Sequence, residues 1–381
     1  QVEIMTNPPA RFDAAGNAGV INIKLKKTNT AGYAGTVNLN YMQGFYPKVN
    51  ESFNATYRKG KVALMTNLSH NHRKVFNNLA IQRYLRDEAT LDVENYFDQE
   101  SHRVNTGSGY NARVGLDYFA SKRTTFGFML NGFYNTLEQD NTNATNISSA
   151  SKQLQSITQG TVASNSTWKN FSTNLYARRV LDTTGRELTA DLDFANYDSR
   201  NNQELVNNFY GSNGQSFRNS DTLLGMLPQA IRIYSGRIDY LHPLKGGARL
   251  EAGVKSSWVT TDNNAIYDSI LNKSRVRDIA RSNHFVYTEA IQAAYVNVNK
   301  PLSKKITAQL GLRLEHTISK GDQRTTGVKF KKPYTQLFPT AYLQYKINKN
   351  NNLGLNYGRR LRRPDYESLN PFIRFIDRYT Y

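Results

Sequence analysis

The sequence predicts an all-β protein, an antiparallel transmembrane β-barrel whose hairpin unit repeats along the chain. Three observations predict it. Apolar residues alternate with polar ones in run after run, the signature of strands with one greasy and one polar face. The connections between runs are by turns short and long. No apolar run approaches the roughly 18 residues of a membrane helix, and apolar content, at 39%, lies below the roughly 45–50% of ordinary globular chains.

The unit is clearest from Tyr110 to Tyr134. Tyr110, Ala112, Val114, Leu116 and Tyr118 share one face of an extended run, against Asn111, Arg113, Gly115 and Asp117 on the other. Ala120-Ser121-Lys122-Arg123 reverses the chain, and Phe126, Phe128, Leu130 and Tyr134 then alternate with Gly127 and Asn131. Each strand has the roughly 9–11 residues needed to cross a bilayer at a tilt. Val114, Leu116, Phe128 and Leu130 are therefore expected to face lipid, with Arg113, Asp117 and Asn131 facing the lumen or whatever fills it.

Taken in order, residues 1–27 stand apart. Val2 and Ile4, then Val20, Ile21, Ile23 and Leu25, form two short β-type runs. Pro8 and Pro9 between them cannot donate to a ladder, and Gly16 and Gly19 permit positive φ. From Thr28 the alternation begins: Val37, Leu39 and Tyr41; Phe53, Ala55 and Tyr57; Val62, Leu64 and Leu68. Beyond the Tyr110 hairpin come Phe171, Leu175 and Ala177; Leu188 to Phe194; Tyr234 to Tyr240; Leu250 to Trp258. Ile291, Ala293 and Tyr295 make a weaker strand, followed by Ala308 to Leu314, Ala341 to Ile347 and Leu353 to Tyr357. The alternation test counts about 13 strands.

Short turns fall near 59–61, 120–123, 182–186, 242–247, 300–304 and 348–352. Long polar connections lie near 72–104, 139–167, 198–230, 262–283 and 319–334. Compact soluble domains rarely carry several loops beyond about 12–15 residues, whereas outer-membrane barrels pair short periplasmic turns with long extracellular loops. Tyr110, Tyr118, Tyr240, Trp258 and Tyr357 near strand ends suit interfacial girdles.

Two stretches sharpen the reading. Asn7-Pro8-Pro9-Ala10-Arg11-Phe12-Asp13-Ala14-Ala15-Gly16-Asn17-Ala18-Gly19-Val20-Ile21-Asn22-Ile23 resembles the last part of the plug domain of TonB-dependent outer-membrane receptors, which leads into the first barrel strand. Arg359-Arg360-Leu361-Arg362-Arg363-Pro364-Asp365-Tyr366-Glu367-Ser368-Leu369-Asn370-Pro371-Phe372 resembles a signature of Bacteroidetes-type outer-membrane β-barrel proteins related to those receptors. The resemblance spans the chain, with Pro8, Asp13, Gly16, Gly19, Arg363, Pro364, Asn370 and Pro371 as its motif residues.

It implies that 1–27 is the C-terminal end of a plug and 28–381 the N-terminal part of a barrel. Single-chain bacterial barrels have an even number of closed strands, so the chain is expected to be a fragment of a barrel of about 22 strands. The implied function is energised uptake of a large or scarce solute (glycan, peptide or iron chelate) across the bacterial outer membrane. Implied partners are outer-membrane lipid and lipopolysaccharide, a TonB-type energy-coupling complex acting through a segment not in this chain, and a surface lipoprotein. A non-transporting barrel (porin, adhesin or surface-complex scaffold) is the alternative, and a soluble carbohydrate-binding β-protein a third class.

The chemistry of other classes is missing from the sequence. The net charge of +19 invites nucleic acid, but basic residues are spread through the chain without a binding motif, so no nucleic acid is expected. No cysteine is present, which excludes disulfides and thiolate metal sites. His70 and His72 share a strand face without a third ligand. Asp87, Glu88, Asp92, Glu94, Asp98 and Glu100 lack EF-hand spacing. Gly107-Ser108-Gly109 lacks the third glycine of a dinucleotide fingerprint, and no Walker, Gly-x-Ser-x-Gly or zincin motif occurs. No catalytic residue, metal or cofactor is expected. The arginines of 359–363 admit two readings: attraction of anionic solutes or lipopolysaccharide phosphates at the barrel mouth, or a strand end anchored among headgroups. The depth dependence of charge cost favours the second.

Overall fold

A computed structural model describes residues 2–5, 8–16, 19–23, 31–87, 89–271 and 273–364. Near the N-terminus β1 (Val2–Met5) pairs antiparallel with β2 (Val20–Ile23), as the two short apolar runs require. Between them Gly16 and Gly19 adopt φ of 99° and 91°, where a side chain would be strained.

Fifteen strands form the second sheet, all antiparallel. They are β3 (Gly32–Gln43), β4 (Pro47–Lys59), β5 (Val62–Arg86), β6 (Val93–Tyr118), β7 (Thr124–Ser149), β8 (Leu154–Val180), β9 (Glu187–Gly211), β10 (Ser216–Met226), β11 (Gln229–Pro243), β12 (Arg249–Leu271), β13 (Ser274–Arg277), β14 (Asn283–Pro301), β15 (Ile306–Gln323), β16 (Lys329–Lys346) and β17 (Asn352–Gly358). Strands β10 and β11 both pair with β9 and with β12, so they form one line broken at Leu227-Pro228. Proline has no N–H for the ladder. Strand β13 pairs only with the tip of β12. Each strand otherwise pairs with its neighbours in sequence, and β3 and β17 are the edges among the described residues.

The strands are far longer than a crossing requires. Strand β8 has 27 residues and spans about 90 Å, so more than half of it projects beyond the bilayer. The long connections expected near 72–104, 139–167 and 198–230 are mostly ladder, and the chain reverses within 87–92, 150–153 and 212–215. Both faces of these extensions meet water, so no apolar alternation marks them. The alternation test detects only strands with one dry face.

The crossing portions are inverted relative to a soluble sheet. On β15 the polar positions Arg313, Glu315 and Thr317 are at most 2% exposed, while Leu310, Leu312 and Leu314 are at least 43% exposed. Phe285, Tyr295 and Phe338 fill the inner face beside them. Val114 and Leu116 are likewise exposed, and Phe128 and Leu130, opposite them across the ladder, lie on the same face. On the other face Arg113 donates to Asn131 Oδ1 at 2.6 Å and Asp117 accepts from the Tyr176 hydroxyl at 2.6 Å. The weaker run Ile291, Ala293 and Tyr295 lies in strand β14, and it belongs to the inner face, since Ala293 and Tyr295 are buried and Ala294 and Val296 look outward. The small residues Ala290 and Ala294 weaken the outward apolar signal there.

Candidate functional site

Two distant stretches of sequence meet on the inner face of β12, β14 and β15. Residues 8–16 lie against this wall, and residues 359–364, which follow β17, fold over them. Leu361 donates its N–H to Ala14 O at 3.1 Å, and Gly16 N–H donates to Leu361 O at 3.2 Å, a short parallel bridge. The N-terminal stretch turns through a Phe12 N–H to Pro9 O bond of 3.0 Å. Ala10 and Ala14 face the wall and are 3% and 2% exposed. Gly311 makes room for the first: a Cβ there would stand 2.9 Å from the Ala10 Cβ and 2.6 Å from Thr340 Oγ1.

Charges hold the contact. Arg313 donates from Nε to Glu315 Oε1 at 2.6 Å and from Nη2 to Asp13 Oδ1 at 2.9 Å. Lys255 reaches Asp13 Oδ2 at 2.6 Å, and Ala14 N–H donates to Glu315 Oε1 at 3.3 Å. Arg363 donates to Glu315 Oε2 at 2.5 Å, with Glu289 Oε2 3.8 Å away. Arg360 donates to the carbonyls of Asp13 and Pro8 at 2.7 and 3.1 Å. The buried Arg313–Glu315 pair is thus neutralised in both directions, as burial of charge demands. Partial burial pushes the Asp13 carboxyl up. The Lys255 hydrogen bond and the charges of Lys255, Arg313 and Arg363 outweigh it and hold the carboxyl below its ordinary 3.8.

Of the motif residues, Pro8, Asp13 and Gly16 sit in this cluster with Arg363, and Pro364 follows it, exposed. Gly19 leads into β2. Asn370 and Pro371 lie outside the described residues. The arginine stretch corrects both sequence readings: Arg360 and Arg363 turn to the N-terminal segment and the wall, and Arg359 lies over the Phe338 ring with its Nη1 bonded to Leu337 O at 3.0 Å. Reach into the lumen decides their role, because the chain leaves the sheet at Gly358. The sequence reading missed Arg313 and Glu315 as site residues. Their signal was two opposite charges at alternate positions on the polar face of a leucine-rich run.

Elsewhere His70 contacts Glu51 at 3.2 Å and His72 contacts Ser108 Oγ at 2.9 Å. Among the described residues no group of three or more His, Asp or Glu could hold a metal.

The outer membrane protein β-barrel family matches residues 179–381, more than half of the chain. The chain belongs to that family. The barrel is accordingly a protein of the bacterial outer membrane. No curated protein matches it. Solved structures similar to the barrel include the outer membrane protease OmpT from Escherichia coli (11% identity, 81% of this chain and 98% of that chain, TM-score 0.22). The translocator domain of the autotransporter NalP from Neisseria meningitidis (10%, 79% and 82%, TM-score 0.26) and the ferric enterobactin receptor PfeA (9%, 93% and 79%, TM-score 0.26) are also similar.

Proposed function

We propose that the chain is part of a TonB-dependent-receptor-like transporter for energised uptake of a large or scarce solute: a glycan, peptide or iron chelate. In this reading residues 1–27 are the end of a plug, residues 28–381 are barrel, and a TonB-type energy-coupling complex moves the plug. A surface lipoprotein is a further partner.

The observation that supports it is the polar seat of residues 8–16. Asp13 is half-exposed, so water can take over its contacts when the segment leaves. The wall keeps its own neutral pair, because Arg313 and Glu315 both belong to β15. No buried charge is orphaned by the departure, which would be expensive. Such a contact can open and close repeatedly.

The experiment uses a strain whose growth on one candidate solute depends on this protein. Ala15 and Leu361 are bridge partners; paired strands run about 4.8 Å apart, a spacing that suits the Cα separation of about 4.4–6.8 Å of a disulfide, and the sequence has no cysteine of its own. Oxidising the Ala15→Cys/Leu361→Cys variant is expected to stop uptake, and reductant to restore it. Uptake at the unmodified rate while the bond is formed contradicts a moving plug and favours a porin. Deletion without effect on any candidate solute removes the transport reading.

A further inference from the structure

One row on the outward face departs from the apolar belt. Ser256, Gln292, His316 and Thr335 are direct cross-strand neighbours on β12, β14, β15 and β16. Ser256 donates to Gln292 Oε1, and His316 Nδ1 lies 2.8 Å from Thr335 Oγ1. The rows on either side are apolar, with Leu314 and Leu337 below and Ile318 and Pro333 above. Polar side chains on a lipid-facing surface are costly and rare without a partner to take their remaining hydrogen bonds.

Lys320 and Lys331 are directly opposite each other one row further out, both exposed. Like charges in that position repel. Lys329 of the next row has Asp322 at 3.4 Å, but neither Lys320 nor Lys331 has an ion-pair partner among the described residues. The outward apolar run of β15 from Ala308 to Ile318 covers about 25 Å of depth at a tilt of about 40°, the height of the hydrocarbon band. Lys320 therefore stands at headgroup level, and His316 about 10 Å beneath it. Beside the row a groove of about 1010 Å³ opens between Tyr234, Trp258, Val254 and Leu314. Gly236 deepens it by having no side chain opposite Ser256.

We propose that this surface binds a phosphorylated glycolipid of the outer leaflet. The Lys320–Lys331 pair takes a phosphate, relieving its own repulsion. Gln292, His316 and Thr335 lie one row inside the hydrocarbon band, at the depth of the esters that join secondary acyl chains to the primary ones, and their donors meet those carbonyls. The groove takes an acyl chain. The site rests on membership of the barrel family alone and is independent of transport.

The test measures binding of defined lipids to the full-length protein in detergent, by native mass spectrometry and thermal shift. Phosphorylated lipid A is expected to bind and to raise the melting temperature more than dephosphorylated lipid A or phosphatidylglycerol does. Lys320→Gln/Lys331→Gln is expected to weaken phosphorylated lipid A about 30-fold, from the loss of two interfacial charges, while Lys320→Arg/Lys331→Arg retains it and shows that the fold is intact. Gln292→Leu/His316→Leu is expected to weaken both forms of lipid A and leave phosphatidylglycerol unchanged. Equal binding of all three lipids, or unaltered preference in the Lys-to-Gln variant, overturns the proposal.

Discussion

Asp13 ties the N-terminal loop to a strand 300 residues further along the chain. Its carboxyl lies below the ordinary 3.8 in the docked segment, so docking favours the ionised form. That contribution is complete above the free carboxyl's pKa and is lost as pH falls through 3.8 toward the lower docked value. Protease cleavage within residues 8–16, followed against pH, is therefore expected to stay flat from about pH 8 to 5 and to rise only below about pH 4. Asp13→Asn should remove much of the rise and loosen the segment at neutral pH, since the amide cannot pair with both Lys255 and Arg313. A midpoint near pH 6–7 in the parent protein, where histidines titrate, contradicts the assignment. Asp13 and Arg363 were legible because each sits in a recognisable local string. Their meeting was not, since neither alternation nor spacing encodes a contact across such a separation.

The strands divide into two physical regimes. Within the bilayer, alternation made the crossing segments legible, down to the face that Leu116 and Phe128 present. Beyond it, β5 to β9 continue as ladders wet on both sides, and the same test read them as loops. The regimes differ in what a charge costs. Leu312, outward and near the middle of the apolar run of β15, is expected to lose about 2–4 kcal/mol on substitution by Arg, the penalty at the bilayer midplane. Thr142, exposed on the projecting part of β7, should tolerate Arg within about 0.5 kcal/mol. Urea unfolding from lipid vesicles measures both, and equal penalties would contradict the placement of the bilayer on β15 and β7.

For the molecule as a whole, the governing fact is inversion: a polar, ion-paired interior around Arg313 and Glu315 and an apolar exterior around Leu312 and Leu314. A +19 chain with a low apolar content suits this arrangement, because the lumen and the projecting hairpins both meet water. The sequence has two tryptophans, and the fold sends them opposite ways. Trp258 lies on the outward face, opposite Tyr234. Trp168 lies on the inward face of β8, next to the position of Asn170 and opposite Asn135, and is 56% exposed. Fluorescence quenching of single-tryptophan variants in lipid vesicles therefore tests the inversion most directly. With Trp168→Phe, the remaining Trp258 should be quenched strongly by brominated lipid and weakly by aqueous iodide. With Trp258→Phe, Trp168 should show the reverse, and lipid quenching of Trp168 with a Trp258 shielded from lipid would contradict the barrel's orientation.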